Sequence, residues 1–189
     1  QIRAMICDAD NCILERAATL TLAQQGPERV IERIKDIMNQ AVSPVGWERI
    51  KNIGIGAPGP LDPFKGTITQ APNLPGWDDV PLRDIISEAT GVETFLGNDA
   101  NLAALGEQMY GAGQGCQNLV YMTVSTGIGG GIIIDGELLL GSRGFAGEIG
   151  HHTILVDGPL CGCGNHGCLE ALAAGPAIAR RTKEALSKD

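Results

Sequence analysis

The chain has 189 residues, 43% of them hydrophobic, and its 14 basic side chains face 22 acidic ones for a net charge of −8. That apolar content is enough for one ordinary domain or two small lobes and excludes wholesale disorder, while the acidic balance argues against nucleic acid or an anionic membrane surface as a partner. The longest apolar stretches, such as "GIIIDGELLLG", are broken by charge well short of the roughly 20 residues a bilayer requires, and no basic leader precedes an apolar core, so a soluble cytoplasmic protein is expected.

In chain order, "IRAMICD" and "ILERAATLT", separated by "ADNC", read as a β-hairpin. A helix follows. Gly26 and Pro27 punctuate its start, Val30, Ile31, Ile34, Ile37, Met38 and Ala41 recur on one face, and Pro44 ends it. "IKNIGIGAPG" is a buried strand running into a loop, and "FKGTITQ" a short extended piece. A second helix covers "LRDIISEAT", with Gly91 as its C-cap. "VETFLGND" is a strand that feeds directly into the helix "ANLAALGEQMYG". Beyond the candidate boundary "GAGQG", "NLVYMTV" is a strand, "STGIGGG" a glycine loop, and "IIIDGELLL" a hairpin whose Asp135–Gly136 pair suits a two-residue type I′ turn. A cysteine-rich segment and one or two helices complete an α/β pattern. The chain opens at Gln1 inside an apolar run and closes in mid-helix, so a piece of a longer protein is expected.

Six cysteines in a chain with no visible secretory signal point to thiols or metal ligands rather than disulfides. Cys161 and Cys163 flank a single glycine, Cys168 is close behind, and Gly162, Gly164 and Gly167 give a tight knuckle its backbone freedom. Tetrahedral zinc needs a fourth ligand, for which His151, His152 and His166 are candidates; a closed four-ligand site would be structural, not catalytic. Buried free thiols in a turn are the plain alternative. Cys7, Cys12 and Cys116 are scattered and read as core or incidental.

The segment "GEIGHHTILVDGPLCGCGNHGCLE" resembles the signature of the ROK family, named for repressors, open reading frames and kinases. Its pattern is Glu-x-Gly-His, a short interval, then Cys-x-Cys-Gly-x-x-Gly-Cys-x-Glu, and every fixed position is present. "GIGAPGPLD", "APNLPGW" and "LGNDANLAALGE" are similar to the family's sugar-side and catalytic segments, and "VSTGIGGG" to its second phosphate-binding loop. The resemblance implies an actin-like/hexokinase-type ATPase fold with ribonuclease H-like lobes, incomplete in this chain. The lobes are expected at 1–111 and 112–189, the second carrying a zinc-stabilised loop. It also implies that His151 joins Cys161, Cys163 and Cys168 around structural Zn²⁺, and that Glu148, His151 and Glu170 contact sugar hydroxyls. One imidazole can serve both purposes because its two nitrogens are separate. Gly59 and Asn73, in the matching loops, are expected to line the sugar pocket.

A sugar hydroxyl is a weak nucleophile near neutral pH, so a positioned base is useful. Asp99 stands at a strand-to-helix junction that fixes side-chain direction, and the resemblance assigns it that role; the alternative is a simple N-cap. Asn98 beside it can donate to and accept from neighbouring hydroxyls. In "STGIGGG", Gly127, Gly129, Gly130 and Gly131 let backbone approach a triphosphate, with Ser125 and Thr126 as further donors. A hairpin that merely turns sharply would read the same way. Mg²⁺ would accompany ATP, with no dedicated ligand identifiable. The family's N-terminal Asp-x-Gly-Gly-Thr loop and the part that forms its adenosine pocket are not found in this chain.

The expected activity is therefore ATP-dependent phosphorylation of a hexose, most simply glucose, at its 6-hydroxyl, by a dimer or tetramer. A sugar-responsive repressor of the same family, with a DNA-binding head upstream, and a zinc-stabilised sugar-binding module without catalysis are the alternatives.

Overall fold

The computed structural model describes residues 1–70 and 74–187. Ile2–Cys7 (β1) and Ile13–Thr19 (β2) form an antiparallel hairpin. Alternate residues of β1 turn toward the helix Pro27–Val42 (α1), where Ile2, Ala4 and Ile6 pack on Ala17, Ile37 and Ala41. Proline occupies the first turn of α1, where its missing N–H costs no helical bond and its fixed φ suits the helix. Nearer its start, α1 joins a larger apolar cluster through Val30 and Ile31.

That cluster is completed by Asn52–Ala57 (β3), a meander of Leu61–Asp62 (β4), Thr67–Gln70 (β5) and Asp78–Val80 (β6), the helix Leu82–Thr90 (α2), and Glu93–Asn98 (β7). β3 pairs with β7, and β4-β5-β6 form a separate antiparallel sheet. Gly91 closes α2 at φ 70°, a left-handed conformation that glycine adopts without a Cβ penalty. β4 and β6 have no counterpart in the sequence reading, because two- and three-residue strands are too short to display alternation.

In the remainder, Asp99–Tyr110 (α3) lies against an antiparallel sheet of Leu119–Val124 (β8), Ile128–Ile134 (β9) and Glu137–Leu138 (β10). The β9–β10 turn has Asp135 at φ 52° and Gly136 at φ 83°, both positive as a type I′ turn requires. A 3-10 turn at Ile149–His151, the short helix Leu169–Ala173 (α4) and the helix Gly175–Leu186 (α5) follow. Among the described residues no helix is long and apolar enough to cross a membrane.

The expected glycine loop is largely strand. Only Ser125–Gly127 turn; Gly129, Gly130 and Gly131 pair with Thr123, Met122 and Tyr121. Their missing side chains have a packing reason. A Cβ on Gly129 would stand 3.0 Å from the Ala100 Cβ, one on Gly131 2.5 Å from the Ala104 Cβ, and one on Gly130 would overlap Ile149. These glycines let α3 and the 3-10 turn approach the sheet at backbone distance.

Internal contacts divide the chain into compact units at 1–97 and 98–189. The division falls before α3, not at 111 as expected from "GAGQG", because α3 packs on β8 and β9 and belongs with them. Gly131→Ala is expected to destabilise the protein by about 1–3 kcal/mol, the usual cost of overpacking, seen as a fall of several degrees in the thermal midpoint; an unchanged midpoint would contradict the close-approach account.

Candidate active site

The loop after His151 is a folded knuckle. The Cys161 N–H donates to the Asn165 carbonyl at 2.7 Å, the Gly164 N–H to Cys161 at 3.0 Å, and the Gly167 N–H to Pro159 at 2.8 Å. Gly164 and Gly167 take φ of 89° and 65°, where a side chain would be strained. His166 braces the loop, its Nδ1 donating to the Gly158 carbonyl at 3.1 Å. Across it, the 3-10 turn lies against β9 because Gly150 has no Cβ to collide with the Ile128 carbonyl.

This folding gathers four donor atoms. The ligand atoms of His151, Cys161, Cys163 and Cys168 all lie within 4.8 Å of one another. His151 Nδ1 is 3.6 Å from Cys161 Sγ, and Cys163 Sγ is 3.7 Å from Cys168 Sγ. Ligands about 2.3 Å (sulfur) and 2.0–2.1 Å (nitrogen) from a tetrahedral zinc stand roughly 3.5–3.8 Å apart, so these separations are edges of the expected polyhedron. They are far too long for a disulfide. Three thiols and an imidazole are also the donor chemistry that zinc prefers. His152 and His166 lie outside the cluster. Burial pushes the Cys168 thiol up to about 12, whereas a backbone hydrogen bond from Asn165 lowers Cys163.

The other edge of the imidazole faces a carboxylate. His151 Nε2 lies 3.8 Å from Glu148 Oε2. Burial raises the Glu148 pKa; His151 opposes the shift, and the negative charges of Glu170 and Asp99 add to it. Asp99, Glu148 and Glu170 therefore share one electrostatic neighbourhood with His151. Glu170 is anchored there, its Oε2 accepting from the Ile128 N–H at 2.8 Å. Gly127 leaves the space, since a Cβ on it would come 2.5 Å from that carboxylate.

At the start of α3 the cap is Asn98, not Asp99. Asn98 Oδ1 accepts from the N–H groups of Ala100 at 2.9 Å and Asn101 at 3.2 Å. Its carbonyl oxygen is thus committed, and only the Nδ2 donor remains for a ligand. Asp99 is the first helical residue and exposed; its Oδ1 shares the Ala100 N–H at 2.8 Å, and its Oδ2 has no hydrogen-bond partner among the described residues.

Ser125 and Thr126 are exposed at the β8–β9 turn, and the Gly175 N–H at the start of α5 donates to the Ser125 carbonyl at 2.8 Å. Gly59 lies in the other unit, in the turn after β3, at φ 88°. Asn73 falls outside the described residues. Sequence reasoning missed Asn101, a buried polar residue on α3 that periodicity would assign to a core-facing position.

The family model for ROK matches residues 1–188. The chain belongs to the ROK family. It is 41% identical over 179 residues to a glucokinase of Thermotoga maritima, covering 95% of this chain and 56% of that protein. It is 39% identical over 168 residues to a xylose repressor of Caldicellulosiruptor bescii, covering 88% of this chain and 42% of the repressor. Among solved structures, a ROK hexokinase from Thermus thermophilus matches with a TM-score of 0.82 and 47% identity, over 93% of this chain and 58% of the other. A ROK family glucokinase from Streptomyces griseus, in complex with glucose and AMPPNP, matches with 0.80 and 36%, over 96% and 57%. These similarities bear out the α/β, actin-like/hexokinase-type fold. The chain spans about half the length of the curated relatives it matches.

A thiol with a pKa of about 12 is protonated at neutral pH, and it must lose that proton to ligate a metal. Zinc added to metal-free protein in weak buffer at pH 7.5 is therefore expected to release at least one proton per ion bound, with affinity falling on acidification. Uptake without proton release would contradict the assigned ligands.

Proposed function

We propose that the full-length protein is an ATP-dependent hexose kinase that transfers the γ-phosphoryl group to the 6-hydroxyl of a sugar, glucose before other hexoses. The observation that carries this reading is that His151 joins two chemistries, belonging to a cluster with three thiols while its Nε2 stands 3.8 Å from Glu148, whose carboxyl in turn feels the charges of Glu170 and Asp99. The names of relatives and structural neighbours, glucokinase and hexokinase, support it independently.

In this reading Asp99 Oδ2 accepts the proton of the attacking hydroxyl as the bond to phosphorus forms. Phosphoryl transfer needs in-line positioning and neutralised oxygens more than covalent help. Asn98 Nδ2 donates to a neighbouring hydroxyl. Glu148 and Glu170 accept from sugar hydroxyls, and His151 Nε2 completes the grip. The exposed turn Ser125–Gly127 offers hydroxyl and backbone donors to the phosphates of Mg·ATP, while Gly129 and Gly130, engaged in strand pairing and packing, serve that turn only by holding it in place. Zinc, held by His151, Cys161, Cys163 and Cys168, supplies a fixed anchor for the loop and takes no part in the transfer.

The second reading, a sugar-responsive transcriptional repressor, is favoured by the xylose repressors at 38–39% identity. Sugar-relieved binding of the full-length protein to an operator, without phosphorylation, would establish it.

With the full-length protein, a hexose panel and Mg·ATP, 6-phosphorylation of glucose is expected. Asp99→Asn should lower kcat by at least ~100-fold, the lower end for a general base, while glucose still binds. Undiminished turnover in that variant would remove Asp99 from the chemistry.

A further inference from the structure

The turn between β8 and β9 closes on itself, the Ser125 N–H donating to the Gly127 carbonyl at 2.8 Å. Two further hydrogen bonds tie it to one distant segment. The Ile128 N–H donates to Glu170 Oε2 at 2.8 Å, across 42 positions of chain. The Gly175 N–H donates to the Ser125 carbonyl at 2.8 Å, and a Cβ on Gly175 would come 2.9 Å from that oxygen.

Both ties issue from the stretch that leaves the cysteine knuckle. Cys168 belongs to the four-donor cluster, bridges to Thr153 and caps the start of α4, while the Leu169 N–H donates to the His152 carbonyl at 3.0 Å. Glu170 follows, half-buried, with its Oε1 3.9 Å from Cys161 Sγ. Its carboxylate therefore spans the gap from knuckle to turn. Gly127 is outside the left-handed region, so backbone conformation does not require a glycine there. Glu170 takes the space instead, since a Cβ on Gly127 would meet its Oε2 at 2.5 Å.

In the kinase reading this turn meets the phosphates of a nucleotide, and a carboxylate beside them is unfavourable by charge. One that stays there needs a compensating task, and accepting a backbone N–H into a charged oxygen is among the stronger hydrogen bonds. We propose that Glu170 is a positioning residue for the phosphate turn: its carboxylate holds the Ile128 amide and so fixes the donors of Ser125–Gly127 for the nucleotide. This rests on the kinase reading above and is separate from any contact Glu170 makes with sugar. If Glu170 acted by charge or on sugar alone, its removal would leave nucleotide binding unchanged or tighter. If it holds the turn, its removal weakens that binding.

The test is calorimetry of the full-length protein with Mg·AMPPNP and no sugar present. Glu170→Ala is expected to bind about tenfold more weakly than wild type, as when a hydrogen bond to a charged group is lost. Glu170→Gln, which keeps an acceptor for the Ile128 N–H, should stay within about threefold, with full zinc content in both. Gly127→Ala should also weaken binding, by displacing the carboxylate, yet add little to Glu170→Ala, since residues acting through one another are not additive. Unchanged or tighter binding by Glu170→Ala, an equal loss in Glu170→Gln, or additive effects in the double variant would each overturn the proposal. Should Glu170→Ala fail to fold, the other two single variants decide: weakened binding in Gly127→Ala with near wild-type affinity in Glu170→Gln supports it, and any other pattern overturns it. If wild type binds no nucleotide, the kinase reading fails by itself, and amide hydrogen exchange at Ile128 is read instead. Exchange about tenfold faster in Glu170→Ala keeps the hold on the turn, and unchanged exchange removes it.

Discussion

The site depends on one imidazole having two edges. His151 Nδ1 stands 3.6 Å from a cysteine sulfur, and Nε2 3.8 Å from a glutamate oxygen. A ring pinned at one nitrogen has its plane and tautomer determined, so the other nitrogen is presented in one direction. The knuckle residues achieve this through backbone conformation more than through apolar burial. Gly164 and Gly167 take left-handed conformations that bring Cys161, Cys163 and Cys168 to a common point.

The second requirement is close approach between helix and sheet. Ala100 and Ala104 on α3 meet Gly129 and Gly131 on β9 at distances that admit no additional Cβ. α3 carries Asp99, and β9 begins at Ile128, whose N–H anchors Glu170. Gly150 and Gly130 bring the turn bearing His151 to the same strand. Three groups distant in sequence are thereby referred to one strand, and their spacing follows from small residues on each contacting face.

Much of this was legible beforehand, and the failures have physical causes. The first hairpin, α1, α2 and the Asp135–Gly136 turn follow from periodicity and turn chemistry that act locally. The cysteine spacing, together with the family pattern, pointed to His151, and the structure gathers that histidine rather than His152 or His166 with the thiols. The run "STGIGGG" reads as a loop because glycine signals conformational freedom and close packing with the same letter; only α3, encoded some thirty positions earlier, distinguishes them. Asn98 and Asp99 are both good N-caps, and which one caps depends on where β7 ends. The period of α3 places Asn101 on the core-facing side with Ala100 and Ala104, but a polar letter hides that burial, and its close neighbours Gly131 and Gly147 are distant in the chain.

The central claim is that the metal clasp shapes the surface that reads the sugar. Glucose affinity of the full-length protein, measured by calorimetry before and after metal removal by a chelator, tests it most directly. The account predicts a loss of about tenfold or more on stripping, as expected when a hydrogen bond to a charged group is lost, and recovery with one equivalent of zinc. Metal-free protein that is folded and binds glucose as tightly as before would contradict it.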